Sequence, residues 1–295
     1  MNEQIFREYD IRGIVGTELT AEGVQKLGRA MGTYFLRHDV HEMTLGRDCR
    51  LSSDSLREAL LKGLLSTGIM VIDIGVCHTP LLYFSLFHLE KKAGVMITGS
   101  HNPSEFNGFK VCFGKTTIYG AEIQAIRKIM ERNDFLQGRG AVISRDVLPA
   151  YMDRIVSDIA VPRKIKVVVD AGNGTGGVIA VPVLKRLGCE VIELYCTMDG
   201  RFPNHHPDPT VPSCLQDLIE AVKREKADLG IGYDGDADRI GAIDEKGSII
   251  WGDQLMIIFS RDILRQHPGA TFISEVKGSQ NFYNDVQRRG GRAIM

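Results

Sequence analysis

The stretch KIKVVVDAGNGTGGVIAVPVLKRLGCEVIELY, residues 164–195, contains two apolar runs on either side of a glycine-rich turn and an amphipathic segment. KIKVVVD (164–170) is short and rich in β-branched residues, which predicts a buried strand. VIAVPVLKRLG (178–188) predicts a helix, and CEVIELY (189–195) predicts a second strand. A strand, a helix and another strand in this order are typical of an α/β layer.

The same alternation extends along the chain in both directions. Before this stretch, we predict strands over 42–46, 70–75, 94–99 and 109–113 and helices over 53–68, 121–133 and 147–159. After it, we predict helix 213–226, strands 228–233 and 239–247, helix 253–267, strand 270–276 and helix 280–290. The polar segment LQGRGAVISRD (136–146) predicts a domain boundary, and a further unit begins near Trp251. We therefore predict tandem α/β units over 1–145, 146–248 and 249–295, the last too small to be a complete domain.

Composition limits the classes of function. The 295 residues are 43% hydrophobic and 25% charged, as in soluble globular proteins. A formal net charge of −1 provides no global field for nucleic acid or an anionic membrane. The polar start MNEQIFREYD does not predict a signal peptide, and no apolar stretch approaches the roughly 20 residues that span a bilayer. Since the six cysteines lack CxxC spacing, we expect a cytoplasmic protein with reduced thiols; the oligomeric state stays open.

The segment TGSHNPSEFNGFK, residues 98–110, gathers reactive side chains directly after a predicted strand. Loops at strand ends are where ligands usually bind in α/β layers. Ser100 is a candidate nucleophile, and His101 or Lys110 would help its hydroxyl to lose a proton. From the residues alone, a polar Asn-Pro turn that caps the strand is the alternative.

The segment YDGDADRIG, residues 233–241, places three carboxylates at alternate positions. Asp234, Asp236 and Asp238 point the same way along an extended chain and repel one another unless a cation neutralises them. Ligands that are all oxygen favour Mg2+ or Ca2+. An EF-hand is excluded because Arg239 stands where that loop needs glycine and the flanking segments are predicted strands. A solvated acidic turn is a weaker alternative, since turns do not require alternating aspartates.

The glycine-rich turn has its own alternative interpretation. Gly172, Gly174 and Gly177 match the G-x-G-x-x-G pattern of dinucleotide-binding proteins, with Glu193 at a plausible distance for a ribose hydroxyl. Asp170, however, would face a pyrophosphate with a like charge. Close packing of a strand-to-helix turn explains the same glycines without a ligand.

Basic residues also lie near predicted strand ends. They are Arg7, Arg12, Arg47, Arg50 and Lys277. Each one alone is typical of a surface charge. If several converge on one cleft, they would hold a phosphate, for which arginine offers bidentate contacts.

Taken together in their order, six motifs resemble those of the α-D-phosphohexomutase family. They are YDIRG (9–13), GRDCRLSS (46–53), TGSHNP (98–103), NGFK (107–110), DAGNG (170–174) and DGDADR (234–239). The TGSHNP form is most similar to the phosphomannomutase/phosphoglucomutase members, and the similarity covers essentially the whole chain. The resemblance implies tandem mixed-sheet α/β/α domains of the phosphohexomutase type, with the third domain truncated and the fourth absent.

The resemblance also implies roles for individual residues. Ser100 would carry the phosphoryl group, and Asp234, Asp236 and Asp238 would hold Mg2+ together with an oxygen of that phosphate. The residues implied to act in catalysis beside Ser100 are Arg12, His101 and Lys110. The residues implied to contact the substrate are Tyr9, Asn102, Arg239 and Lys277. This interpretation requires the loops that bear Ser100 and the three aspartates to face each other across one cleft.

The implied activity is that of an intramolecular phosphotransferase. It would interconvert hexose 6-phosphate and hexose 1-phosphate of mannose, glucose or both, through a phosphoserine and a hexose 1,6-bisphosphate that also acts as activator. Two alternatives stay open. Because the chain stops at Met295, before the family's sugar-reading loop, one is a non-catalytic module that binds Mg2+ and carries phosphoserine. The other is a dinucleotide-dependent oxidoreductase, which rests only on the glycine turn.

Overall fold

The computed structural model describes residues 2–295. The first part of the chain forms a mixed sheet with helices packed on both faces. Its elements are a 3-10 helix (Glu3–Ile5), β1 (Ile11–Ile14), α1 (Ala21–Arg37), β2 (Glu42–Arg47), α2 (Ser53–Leu65), β3 (Met70–Val76), α3 (Thr79–His88), β4 (Ala93–Ile97), β5 (Phe106–Phe113), β6 (Thr116–Thr117), α4 (Ala121–Glu131) and β7 (Val142–Ser144). The sheet order is β1-β5-β4-β2-β3-β7, with β6 paired to β5.

Alternating strand residues explain the two layers of helices. Val95 and Ile97 of β4 belong to the core under α1, α2 and α4. Met96, between them, belongs to a separate core with α3 on the opposite face. Because successive side chains of a strand point to opposite faces, an uninterrupted apolar strand is buried on both sides.

The second part of the chain forms another mixed sheet. Its elements are α5 (Leu148–Asp158), β8 (Lys166–Asp170), α6 (Gly177–Arg186), β9 (Glu190–Leu194), a 3-10 helix (Pro212–Leu215), α7 (Gln216–Glu225), β10 (Leu229–Tyr233), β11 (Ile240–Asp244) and β12 (Ile249–Ile250). The strand order is β12-β11-β10-β8-β9, in which β10, β8 and β9 are parallel. The last part contains α8 (Gly252–Gln266), β13 (Thr271–Ile273), α9 (Gln280–Arg288) and β14 (Arg292–Ile294), with β13 parallel to β14.

The carboxyl ends of the parallel strands position the functional loops. In the first sheet, β4, β2 and β3 are parallel neighbours, and each ends in a loop at the same edge. The loop after β4, residues 98–105, is called the serine loop below. The loop between β10 and β11, residues 234–239, is called the acidic loop. Ligands bind at such edges because several loops converge there.

The mixed α/β fold that the sequence predicts is confirmed, with some differences in its elements. We did not predict β1, α1 or α3, and β5 begins earlier than expected, at Phe106. The segment predicted as a polar break contains the edge strand β7, which pairs with β3. The division at residues 145 and 248 stays our proposal. Among the helices of residues 2–295, none combines the length and apolar character needed to cross a membrane.

Candidate active site where two loops meet

The serine loop holds its nucleophile in an unusual backbone conformation. Ser100 has φ 48° and is buried, with 6% of its surface exposed. A side chain at Gly99 would collide with the Arg50 guanidinium, whose Cζ would lie 2.5 Å from the added Cβ. Non-glycine residues seldom adopt positive φ, and such strain is concentrated at functional sites.

The acidic loop turns back tightly over one of its own carboxylates. Asp234 Oδ1 accepts hydrogen bonds from the backbone N–H groups of Asp238, at 3.0 Å, and Arg239, at 3.1 Å. Asp234 and Asp236 are completely buried, whereas Asp238 is partly exposed. The loop therefore directs two of its three carboxylates into the protein.

The structure brings the two loops into direct contact. Ser100 Oγ donates a hydrogen bond to Asp234 Oδ2 at 2.8 Å. A Cβ added to Gly235 would lie 2.6 Å from the Ser100 carbonyl oxygen, so only glycine permits this approach. The candidate nucleophile and the carboxylates thus belong to one site between the first two sheets.

A further contact to the acidic loop comes from Thr79, which sequence analysis missed. The Thr79 backbone N–H donates to the Asp236 carbonyl oxygen at 2.9 Å, and its hydroxyl donates to Asp236 Oδ2. Thr79 is fully buried at the start of α3, in the loop region that follows β3. Its position after a parallel strand next to β2 is the signal that could have indicated it.

Lys110 neutralises the acidic loop from β5. Its Nζ donates to Asp236 Oδ2 at 2.6 Å and also to Asp238 Oδ2. Burial opposes the charge of the lysine, but the two carboxylates outweigh it and raise the pKa of Lys110. Burial likewise opposes ionisation of Asp236, yet Lys110 holds the pKa of that carboxyl below its usual value. Lys110 is therefore protonated at neutral pH while it pairs with these two carboxylates.

His101 lies beside the hydroxyl of Ser100. Its Nδ1 is 3.3 Å from Ser100 Oγ. Partial burial, followed by the positive charge of Arg239, lowers the pKa of His101, with Arg12 acting in the same direction. The imidazole is therefore neutral at pH 7 and able to accept a proton. Arg12 itself, on β1, donates to the Asp10 carboxylate at 3.1 Å through Nε.

Four further residues were predicted to contact the substrate, and the structure places them in different surroundings. Tyr9 is 73% exposed, and Asn102 donates its amide to the Gly99 carbonyl oxygen within the serine loop. Arg239 is exposed at the end of the acidic loop. Lys277 lines a different cavity, of about 710 Å³, which contains Trp251 and belongs to the third part of the chain. Of these four, the structure places only Asn102 and Arg239 on the two loops.

The donor set fits a hard divalent cation. One carboxylate oxygen from each of Asp234, Asp236 and Asp238 lies within 4.8 Å of the others. Asp236 Oδ1 is buried without a hydrogen-bond partner among the described residues. A buried carboxylate oxygen left unpaired is costly, and a bound cation would remove that cost. All-oxygen ligands suit Mg2+, Ca2+ or Mn2+ rather than softer metals.

The glycine-rich turn, by contrast, is filled by protein. A Cβ added at Gly174 would lie 2.6 Å from the Gly235 carbonyl oxygen, and one at Gly172 would lie 2.9 Å from Pro207. The Asp170 carboxylate accepts from the Gly172 N–H at 2.8 Å and contacts His205 Nε2 at 3.0 Å. Gly174 therefore packs closely against the acidic loop and Gly172 against Pro207, which accounts for these glycines without a ligand.

Ala237 gives a first testable prediction. It has φ 52° in the acidic loop, and a left-handed conformation costs an L-residue about 1–2 kcal/mol. Glycine is more flexible in the unfolded chain, and this offsets part of the gain. We therefore expect Ala237→Gly to stabilise the protein by about 0.5–1 kcal/mol and to raise Tm by about 2 °C. Differential scanning calorimetry measures this shift. Ala242→Gly, in the neighbouring strand β11, should instead lower Tm; a drop for both variants would contradict the prediction.

Fold and site together define a class: α/β proteins of consecutive mixed-sheet domains in which a serine loop of the first domain meets an acidic loop of the second. Two family models match this chain. Phosphoglucomutase/phosphomannomutase alpha/beta/alpha domain I matches residues 3–137, and domain II of the same family matches residues 149–247. The chain belongs to the phosphoglucomutase/phosphomannomutase family.

Individual relatives agree with this family. The chain is 47% identical over 291 residues to a phosphomannomutase/phosphoglucomutase of Pseudomonas aeruginosa, a match that covers 99% of this chain and 63% of the relative. It is 43% identical over 297 residues to a phosphoglucomutase of Neisseria gonorrhoeae, with coverage of 100% and 65%. A crystal structure of a phosphoglucomutase/phosphomannomutase family protein from Burkholderia thailandensis superposes with TM-score 0.97 at 39% identity and covers 100% of this chain and 66% of that one. The chain thus spans slightly less than two thirds of the length of these proteins.

Proposed function

We propose that this chain carries the phosphoryl-accepting serine and the metal-binding loop of an intramolecular phosphotransferase. The reaction interconverts hexose 6-phosphate and hexose 1-phosphate, of mannose, glucose or both, by way of a hexose 1,6-bisphosphate. The observation that carries this proposal is the 2.8 Å contact between Ser100 Oγ and Asp234 Oδ2 across the two domains. The names of the relatives, which include both sugars, support the substrate class.

Mg2+ is the proposed cofactor. Asp234, Asp236 and Asp238 would hold it, with an oxygen of phosphorylated Ser100 as a further ligand. When bound, the ion supplies positive charge to the phosphoryl oxygens, on which the transition state accumulates negative charge. The unpaired Asp236 Oδ1 supports this assignment because a cation is the partner that it lacks.

The chain's own residues manage the proton and the remaining charge. When a bisphosphate loads the serine, the bond from phosphorus to Ser100 Oγ forms as the bond to the sugar oxygen breaks. His101, neutral and 3.3 Å from Oγ, accepts the hydroxyl proton, and the leaving sugar oxygen takes up a proton from water. Lys110 stays charged and stabilises the negative oxygens. In the reverse transfer, His101 returns the proton to Oγ.

Substrate contacts form the outer part of the proposal. Arg239 and Arg12 would attract the phosphate of the sugar, and the positive charges of both already lower the pKa of His101. Tyr9 and Asn102 would contact the substrate on the same side of the cleft. Lys277 lines a separate cavity in the third part of the chain. It would therefore contact the sugar from the side of the cleft opposite the serine loop.

A coupled assay tests the function. The chain is supplied with Mg2+, the matching hexose 1,6-bisphosphate, and glucose 1-phosphate or mannose 1-phosphate, and intact mass is followed alongside turnover. We expect a gain of one phosphate on Ser100 and formation of hexose 6-phosphate. Phosphate gain without turnover would favour the narrower alternative, a phosphorylatable metal-binding module. Neither phosphate gain nor turnover would contradict both.

Cation binding should release a proton near neutral pH. Burial, and then the charges of Asp236 and Asp238, raise the pKa of Asp234 to about 8 in the absence of metal. The carboxyl is therefore protonated below pH 8 and must ionise to bind Mg2+, so affinity should rise by about tenfold per pH unit up to that value and then level off. Calorimetry at pH 7 in two buffers with different ionisation enthalpies measures the released proton. An affinity that does not change between pH 6 and 8 would refute this prediction.

A further inference from the structure

Arg50 does not have the role that its sequence position suggests. The pattern predicts a surface charge or a phosphate ligand, but Arg50 is buried, with only 3% of its surface exposed. It lies just after β2, in the loop next to the serine loop at the same edge of the sheet. A buried arginine needs partners for its charge and its donors, and those partners show what it does.

The guanidinium of Arg50 donates to three backbone carbonyl groups of the serine loop and to that of the first residue of β5. One terminal nitrogen donates to the carbonyl oxygens of Pro103, at 2.7 Å, and Phe106, at 3.0 Å. The other donates to the carbonyl oxygens of Ser100, at 2.8 Å, and Asn102, at 2.6 Å. Four carbonyl groups that point at one place repel one another unless a cation lies between them. Only the planar fork of arginine can reach all four from one side chain.

The Asp48 carboxylate holds both Arg50 and the start of the serine loop. Its Oδ2 pairs with Arg50 Nε at 3.3 Å and accepts the Gly99 N–H at 3.1 Å. Its Oδ1 accepts the Arg50 N–H at 3.0 Å and the Ser53 hydroxyl. The carboxylate therefore compensates the buried charge of Arg50 and also binds the residue that precedes Ser100.

Residues of the second domain also pack against Arg50 and help to bury it. The ring of Phe202 lies over the guanidinium, with 5.1 Å between the ring centroid and Cζ. Gly200 pairs with Arg50 as an isolated bridge, and a Cβ there would lie 2.3 Å from the Cys49 carbonyl oxygen. The serine loop is thus connected through Arg50 to the domain that carries the acidic loop.

We propose that Arg50 is a positioning residue for the nucleophile: it holds the serine loop in the strained backbone that presents Ser100 Oγ to Asp234. Arg50 is paired with neither the carboxylates of the acidic loop nor the Ser100 hydroxyl, so its effect passes through the loop backbone. This inference deepens the proposed function and rests on it for the meaning of phosphate transfer. The claim about loop geometry does not depend on it.

Arg50→Lys tests the proposal. Lysine keeps the charge beside Asp48 but cannot span the four carbonyl groups. Arg47→Lys is the matched control, since Arg47 pairs with Asp54 and lies outside the serine loop. Four quantities are measured for both variants and the unsubstituted chain: hydrogen exchange of amides 99–102, Mg2+ affinity, Tm, and the rate at which Ser100 gains phosphate from glucose 1,6-bisphosphate.

For Arg50→Lys we expect faster exchange in the serine loop and phosphate uptake slower by about 10–100-fold, since small displacements of a nucleophile have effects of this size. Mg2+ affinity should match that of Arg47→Lys. Uptake as fast as in the control, or a parallel loss of uptake, Mg2+ affinity and Tm, would overturn the proposal. If Arg50→Lys does not fold, Phe202→Leu, which leaves the hydrogen bonds in place, should still increase exchange at amides 99–102; unchanged exchange would count against the proposal. If the unsubstituted chain takes up no phosphate, the proposed function fails, while the exchange data still decide the role of Arg50.

Discussion

Replacing Ser100 with alanine should abolish phosphate incorporation and leave the fold intact. The substitution removes the oxygen that donates to Asp234 at 2.8 Å and that would accept the phosphoryl group. Asp234 keeps its backbone partners through Oδ1, so the acidic loop should retain its conformation. The loss is complete in principle because no transfer is possible without the nucleophile. Intact mass spectrometry after incubation with glucose 1,6-bisphosphate and Mg2+ measures it.

A second serine of the same loop provides the control. Ser104 is exposed four residues further along. Ser104→Ala should therefore gain phosphate like the unsubstituted chain. The circular dichroism spectrum and Tm of Ser100→Ala should stay close to those of the parent. A phosphate that persists at another residue in Ser100→Ala would show that the nucleophile is wrongly assigned.

Asp236→Asn should weaken Mg2+ binding by about 100-fold or more, which corresponds to about 2.7 kcal/mol. Asp236 Oδ2 is held by Lys110 and Thr79, and this leaves Oδ1 as the unpaired atom for the cation. An amide carries no charge, and if its N–H2 group faces the site it repels the ion. Changes outside the ligand shell already cost 10–100-fold in metal sites, so a direct ligand should cost at least as much.

Calorimetric titration with Mg2+ at pH 9 measures this effect, because this pH lies above the pKa of about 8 for Asp234, whose carboxyl is then largely ionised in the metal-free chain. Asp262→Asn, an exposed change on α8 where the side chain pairs with Arg265, is the control and should bind Mg2+ normally. Equal affinity for the two variants would mean that the acidic loop is structural. The titration also separates metal binding from catalysis, since it requires no substrate.

The functional loops could be predicted because their chemistry is local. Three aspartates at alternate positions are unfavourable without a cation, whatever the rest of the fold. The serine loop follows a strand whose apolar run is unambiguous. What sequence could not predict is that Ser100 and Asp234, more than a hundred residues apart, would be hydrogen-bonded. Only the resemblance to a family indicated that the two loops would lie close together.

Two helices escaped prediction for opposite reasons. Helix α1 contains glycines, which ordinarily indicate a break in a helix. Here Gly28 lets α1 approach α2 so closely that an added Cβ would lie 2.3 Å from the Leu60 carbonyl oxygen. Helix α3, TPLLYFSLFH, is nearly all apolar and shows no helical period because the sheet covers one side and Tyr151 of α5 packs against the other. Periodicity reports burial on one face only.

The residues that support the site were hidden for a related reason. Thr79 lies within that apolar helix and carries no pattern of its own. Arginine is usually a surface residue, so nothing in the sequence indicated that Arg50 is buried. Its burial depends on carbonyl groups that converge only after the serine loop has folded. Such partners are backbone atoms, which are identical for every residue type. Side-chain identity therefore gives no signal for them.

The central claim is that Ser100 and the acidic loop share one divalent ion. Mn2+ suits the same oxygen ligands and is paramagnetic, so it can replace Mg2+ in a chain phosphorylated at Ser100. Electron–nuclear double resonance then measures the coupling between the Mn2+ electron spin and the phosphorus nucleus. A strong phosphorus coupling, lost in Asp236→Asn, is the predicted result. Tightly bound Mn2+ with no phosphorus coupling would contradict the claim.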